Sequence, residues 1–266
     1  MTAAAGARRR ALAGAALLGA AAFLSAGCAS RPARASAEVL LNERMAAVLL
    51  REGRAAEAER AFREALQDDP RNPDVHDGLG TALLMQGKVK QALAHLDRAV
   101  ELDVERGAFR INRGLARLEL GRYTEAEEDF RVAEGSPVPE DRLAAAINRG
   151  RLRQRQRDFA AAEAEFTTAL SRDPKSFAAR IGRGVAREAR GELEAAAEDY
   201  LEAVKIQPRS ADANLRLGLA LVTLRKESLG RRYLERAVEI DPGGEAGAKA
   251  RLLLESTSGD RPPTSR

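Results

Sequence analysis

The sequence has one cysteine, no tryptophan and two histidines in 266 residues, and only 4% of it is aromatic. A lone thiol excludes an internal disulfide framework, so the fold must rest on packing. Hydrophobic residues make up 44%, mostly Ala and Leu, and charged residues 32%, a balance that favours helices over sheets. A large excess of one charge is missing as well. The net charge is +4, but without residues 1–27, which carry Arg8, Arg9 and Arg10, Lys+Arg falls from 44 to 41 against 40 Asp+Glu. Affinity for phosphates needs clustered positive charge, so nucleic acid is not expected as a partner. Catalytic signatures are absent too: there is no HExxH, GxSxG or CxxC. Gly182 and Gly184 begin a GxGxxG-like run, but Arg187 stands where the last glycine belongs and no strand precedes it. Gly87-Lys88 lacks the spaced glycine and the Ser or Thr of a phosphate loop. His76 and His95 read as ordinary helix residues. No enzymatic activity, cofactor or metal is expected.

One apolar run is present, at the start. Residues 1–27 combine a basic segment with an apolar stretch from Ala11 to Gly27 and end in small residues, the pattern of an export leader. Cys28 stands where cleavage would fall. LSAGC resembles a lipobox, although Ser25 occupies the place where an aliphatic residue is usual. The resemblance implies a lipid on Cys28 and a chain anchored at the outer membrane, facing the periplasm. Residues 28–36 then form the anchor and a short linker. No Phe-Leu pair directly follows the arginines, where Ala11 and Leu12 stand instead, which argues against a twin-arginine signal.

The rest of the chain repeats. Taking Val39 as position 1 of a 34-residue frame, position 27 is Ala six times: Ala65, Ala99, Ala133, Ala169, Ala203 and Ala237. Position 8 is Ala46, then Gly80, Gly114, Gly150, Gly184 and Gly218; position 24 is Phe62, Leu96, Phe130, Phe166, Tyr200 and Leu234. Small residues at fixed places let two helices approach closely, and the ring fills the space beside them. Gly53, Gly87, Gly121 and Gly191 mark the turn within each unit, and Pro70, Pro174, Pro208 and Pro242 its end. This pattern resembles the tetratricopeptide repeat family. The resemblance implies an all-α, right-handed superhelical solenoid of six helix-turn-helix repeats over 37–243: 39–72, 73–106, 107–142, 143–176, 177–210 and 211–243. GSPVPED supplies two extra residues between the third and fourth. Residues 244–256 suit a capping helix and 257–266 a disordered tail. Position 4, where the family often has Trp, holds Asn42, His76, Arg110, Ala146, Arg180 and Asn214, which predicts looser packing there.

Three repeats place an arginine before the position-8 glycine, in what reads as a packed helix. Where position 7 is Arg113, Arg149 or Arg183, position 23 is Asp129, Glu165 or Asp199. Where position 7 is Met45, Leu79 or Leu217, position 23 is Ala61, His95 or Tyr233. Both positions lie about equally far from the turn of an antiparallel hairpin. Three structural ion pairs are therefore expected: Arg113–Asp129, Arg149–Glu165 and Arg183–Asp199.

In the repeat family the first helices line the concave surface through positions 2, 5, 9 and 12. Here those helices carry Ile111, Leu115, Leu118, Ile147, Ile181, Val185, Leu215 and Leu219, with Arg151 at position 9 of repeat four. Asn112 and Asn148 stand beside them at position 6. The expectation is an apolar groove for a protein or peptide partner, with the two amides on the partner's backbone. The Lys and Asn clamp of the chaperone-binding members is missing: Glu43, Ala47, Asp77 and Thr81 stand there. Six repeats behind a lipobox, with the insertion after the third, resemble pilotin-type lipoproteins of type IV pilus assembly and the tight-adherence pilus lipoproteins. That likeness implies an outer-membrane adaptor whose partner is a secretin or pilus component. The other reading is an accessory subunit of an envelope enzyme for cell-wall or polysaccharide synthesis.

Overall fold

The repeat punctuation sets the helix boundaries. The computed structural model describes residues 37–258, with side chains from Arg44 to Ser256, so the leader, Cys28 and all of the tail after Ser258 lie outside the described residues. Thirteen helices fill the described span: α1 Ala37–Arg51, α2 Ala55–Asp68, α3 Pro73–Met85, α4 Val89–Leu102, α5 Gly107–Glu119, α6 Tyr123–Glu134, α7 Pro139–Arg155, α8 Phe159–Arg172, α9 Phe177–Ala189, α10 Leu193–Ile206, α11 Ala211–Thr223, α12 Glu227–Ile240 and α13 Glu245–Ser258. Helices α2, α8, α10 and α12 each stop two residues before a proline, where the ring would clash with the preceding turn. Asn72, Ser176 and Ser210, all at position 34, cap the next helix by accepting from its first free N–H groups. Helix α13 runs to Ser258, two residues past the expected cap, so Thr257 and Ser258 are helical rather than part of a disordered tail.

Contacts divide the chain into a first unit ending at Leu152 and a second beginning at Arg153. In the first, the hairpins α1–α2, α3–α4 and α5–α6 stack through α2 on α3 and α4 on α5, and the first part of α7 follows. In the second, α8 packs on α9, the hairpins α9–α10 and α11–α12 stack, and α13 covers α11 and α12. The position-24 rings Phe62, Phe130, Phe166 and Tyr200 are fully buried. Burying each contributes about 2–3 kcal/mol. Glycine at position 8 makes room for them: a Cβ at Gly114 would lie 2.5 Å from Phe130, and one at Gly184 2.5 Å from Tyr200. The two extra residues after repeat three lengthen the start of α7. Val138 N–H donates to Ser136 Oγ at 3.2 Å, and Ser136 Oγ donates to Asp141 at 2.7 Å, which fixes that added turn.

Position 4 departs from the looser packing expected. His76 Nε2, Arg110 Nε, Arg180 Nη2 and Asn214 Nδ2 each lie 3.2–3.4 Å from the carbonyl six residues upstream: Pro70 at 3.2 Å, Val104 at 3.2 Å, Pro174 at 3.4 Å and Pro208 at 3.2 Å. A polar side chain thus ties four of the first helices to the loop before them, and Ala146 and Asn214 are fully buried.

The turn between the two helices of a hairpin carries one unfavourable feature. Gly53, Gly87, Gly121 and Gly191 have φ between 75° and 82°, but the same position 15 is Arg157 (φ 63°) and Arg225 (φ 60°) in repeats four and six. A side chain in this left-handed region costs roughly 1 kcal/mol. The double replacement Arg157→Gly, Arg225→Gly is expected to raise the denaturation midpoint, with a gain of about 1–2 kcal/mol in a urea titration.

Candidate functional site

The arginines before glycine turn inward between the two helices of their hairpin. Arg113 Nη2 lies 2.6 Å from Asp129 Oδ1 and its Nε donates to Oδ2 at 3.0 Å, a two-bond fork. Arg117, one turn on, donates to Asp129 Oδ2 at 2.7 Å, and Asp129 is 1% exposed. In the second unit Arg183 reaches Asp199 at 2.7 and 2.9 Å, Arg187 at 3.0 Å and Arg180 at 3.2 Å. Burial alone would lower the pKa of Arg113, but its bonds to Asp129 outweigh this and leave it raised. Sequence reasoning missed the second arginines. Their signal was the i, i+4 spacing from position 7 to position 11, which puts both guanidinium groups over one carboxylate. Arg149 meets Glu127 at 3.1 Å and Glu134 at 2.7 Å, both on α6. Its pairing with Glu165 joins residues of different units and stays an expectation.

Arg180, Arg183 and Arg187, with Glu198, Asp199, Leu201 and Glu202, line a hollow of about 240 Å³ in the second unit. Three cations there face three acids, and Arg187 and Arg190 also hold Glu163. This balance makes the cluster a structural brace between α8, α9 and α10 rather than an anion receptor.

The apolar groove is corrected in the first unit. Ile111, Leu115, Leu118 and Ile147 are 2%, 4%, 4% and 1% exposed, so they belong to the core and do not face solvent. Ile111 and Leu115 share a cluster with Leu79, Leu83, Ala116, Ala144 and Ala145, because neighbouring first helices close over these positions. Leu118 packs with Ala126, Phe130 and Leu152. In the second unit Leu215 is likewise covered, in a cluster with Ala250 of the capping helix. Ile181 and Val185 are half-buried, and Leu219 is 37% exposed. Of the residues expected to line the groove, those that keep accessible area are therefore Ile181, Val185 and Leu219, on the first helices of the second unit.

The first helices of the first unit carry a buried polar strip, and Asn112 and Asn148, at 2% and 1% exposed, belong to it rather than to a partner-facing groove. Asn112 donates both to Asp77 Oδ1 and to Oδ2 at 2.9 Å. Asn148 uses its other pole, accepting from Arg151 Nη1 at 3.0 Å. Thr81, one turn after Asp77, is 2% exposed and its Oγ1 has no partner. Burial holds the Asp77 carboxyl up at about 7, against the Asn112 bonds that favour its charged form. Burial pushes the Arg151 guanidinium down to about 10. Neither group has an ion-pair partner among the described residues, whereas Arg113, Arg149 and Arg183 each have at least one.

A buried acid with a raised pKa weakens the fold as pH rises. The unfolded state releases its proton near 4 and the folded state near 7, so stability falls between those values and the penalty is complete above them. Its size is on the order of 4 kcal/mol. Asp77→Asn, which keeps the shape and removes the charge, is expected to raise Tm at pH 8 and to leave it nearly unchanged at pH 4.

His76 and His95 meet through their Nδ1 atoms at 3.2 Å. The Pro70 carbonyl accepts from His76 Nε2, so in the neutral pair His95 is the donor at Nδ1. Among the described residues no three His, Cys, Asp or Glu side chains gather as metal ligands.

Comparison with known proteins bears on these geometries as a set. Residues 49–110, 147–211 and 211–243 each match the description Tetratricopeptide repeat. DnaJ homolog subfamily C member 3 of Rattus norvegicus is 40% identical over 83 residues, 31% of this chain and 16% of that protein. The Mus musculus protein is 33% identical over 130 residues, 46% of this chain and 26% of its own length. The chain thus spans about a quarter or less of the curated relatives it matches. Among solved structures, PilW, a widely conserved type IV pilus biogenesis factor, aligns with TM-score 0.70 at 18% identity, over 82% of this chain and 100% of PilW. PilF of Pseudomonas aeruginosa aligns with TM-score 0.66 at 18% identity, over 84% of this chain and 98% of PilF. At such identity the likeness is one of fold.

Proposed function

The chain belongs to the tetratricopeptide repeat family, and on that premise we propose that it is a noncatalytic adaptor, held by lipid on Cys28 at the outer membrane, that binds a protein partner during assembly of a pilus-type envelope machine. Repeats of this family serve protein–protein interaction, which is the coarser part of the reading. The observation that carries the finer part is the match along nearly the whole length of PilW and PilF, which bears on a chain of similar repeat number rather than on isolated repeats. The leader ending in LSAGC supports the anchor. A secretin or another pilus component is the proposed partner, and the half-buried Ile181 and Val185 of α9 with exposed Leu219 of α11 are the proposed apolar contact.

Two experiments test this. Cys28→Ser is expected to move the protein from membranes to the soluble periplasmic fraction, since acyl chains supply the anchoring; retention on membranes as firm as the parent's would sink the anchor. A photocrosslinker placed at Val185 in cells is expected to recover a secretin or pilus protein, and Val185→Asp to abolish that recovery while helical content is kept. Crosslinks to a polysaccharide or cell-wall synthase instead would replace the pilus assignment with the accessory-subunit reading.

A further inference from the structure

Repeats two, three and five join the same two places, position 4 of the first helix and position 23 of the second, with different chemistry. In repeat five Arg180 lies 3.2 Å from Asp199, and in repeat three Arg110 lies 4.0 Å from Asp129. Arginine and aspartate side chains carry opposite charges from pH 8 to pH 5. In repeat two both partners are histidine, and they are the two histidines of the whole chain. His76, on α3, is 9% exposed, and His95, on α4, is half-buried. Nδ1 of one ring faces Nδ1 of the other at 3.2 Å. His76 Nε2 donates to the Pro70 carbonyl, the contact that Arg110 and Arg180 also make from position 4. Repeat two thus has the joint of repeats three and five, built from groups whose charge changes near neutral pH.

We propose that this pair is a proton-operated joint: it holds α3 to α4 while it carries at most one added proton, and it loosens repeat two when acid supplies the second. A contact of two Nδ1 atoms at this distance has room for one proton between them. In the neutral pair that proton sits on His95. The first added proton goes to His95 Nε2, outside the contact, and the shared bond survives with a charged donor. The second has only His76 Nδ1 to go to. Two N–H groups and two cations then face each other, with no carboxylate bonded to either ring among the described residues. The unfolded chain takes up both protons near the ordinary histidine value. It therefore binds more protons in acid than the folded joint does, and the stability of repeat two falls as pH drops through that value.

The charges that act on His95 besides His76 come from α2: Arg63 and Glu59, which pair with each other at 2.9 Å. Burial first, then the His76 charge and Arg63, hold His95 below the ordinary histidine value against the pull of Glu59. The acids of α3 and α4 are engaged elsewhere: Asp74 by Arg106, Asp77 by Asn112 and Asp97 by Arg113. On α5, Arg110 turns to Val104 and Asp129, and Arg44 and Arg51 of α1 are exposed. Asp77, on the same helix as His76, works in the opposite sense, because its proton stabilises the fold in acid. The joint does not depend on the adaptor reading.

The first measurement is long-range 1H–15N correlation on the full chain labelled with 15N-histidine, from pH 8 to pH 5. At pH 8 the two rings are expected as opposite tautomers, His76 protonated at Nε2 and His95 at Nδ1. On acidification the pair should take up protons in two separate steps, the second below the ordinary histidine range. Two rings protonated alike at Nε2, or coincident steps in the ordinary range, overturn the proposal. The second measurement is amide hydrogen exchange, made in the Asp77→Asn protein so that the opposing titration is absent. Protection factors in α3 and α4 should fall at least ~10-fold between pH 7 and pH 5, and those in α9 and α10 should not. Adding His76→Arg and His95→Asp gives repeat two the joint of repeat five and should remove that fall. Constant protection in the Asp77→Asn protein, or an equal fall after the exchange of both histidines, also overturns it. Should the variant with both histidines exchanged fail to fold, the tautomers and uptake steps of the parent chain decide.

Discussion

Removal of the Asp129 carboxylate by Asp129→Ala is expected to lower stability by about 3–5 kcal/mol, the cost of leaving buried charge uncompensated. Asp129 is 1% exposed and takes bonds from Arg113 and Arg117, whose side chains are 14% and 16% exposed. Without it two guanidinium groups stand side by side between α5 and α6, with Asp97 at 3.5 and 3.8 Å and Glu125 at 3.6 Å from Arg117 as the more exposed acids left in reach. The measurement is urea denaturation followed by circular dichroism. The triple change Arg113→Leu, Arg117→Leu, Asp129→Tyr removes the charges together and brings positions 7 and 23 to the Leu217 and Tyr233 of repeat six. It should cost clearly less than Asp129→Ala, since the unpaired charge and not the lost pair dominates. Equal losses would mean that the arginines swing out to water and that the cluster is not coupled.

Ile147→Asp is expected to unfold the repeats around α7. Ile147 is 1% exposed, and a carboxylate there would have to be buried, protonated or extruded. A loss of more than about 4 kcal/mol follows from the missing apolar contacts plus the desolvated acid. The contrast is Val185→Asp, on the half-buried face of α9, which should change Tm little. Thermal melts of the two variants give the answer. An Ile147→Asp protein that melts like the parent would return Ile147 to the partner-facing surface.

Much of the repeat was legible from spacing. Ala at position 27, Gly or Ala at position 8 and the ring at position 24 recur because each hairpin meets the same local packing demand. The turn glycines, the stop before each proline and the position-34 caps are also local, and all fall where the 34-residue frame puts them. The coupling of Arg113 with Asp129 and of Arg183 with Asp199 could be read because it is a contact within one hairpin, repeated with a control in the repeats that lack it.

Contacts that cross from one hairpin to the next were not legible in that way. Spacing placed Ile111 and Leu115 on the first-helix face, but whether that face is open depends on how closely Leu79, Ala144 and Ala145 approach from the adjacent helices. The same dependence hid the orientation of Asn112, which Asp77 of the preceding repeat decides, and the carbonyl that each polar side chain at position 4 finds. The sequence by itself determined the helices, their period and the pairings inside a hairpin, because residues a fixed number of places apart on rigid helices meet at a fixed distance. Only the tertiary structure decided which of those residues water can reach, because exposure is set by the distance between hairpins, and that distance is a sum over side chains that no single repeat contains.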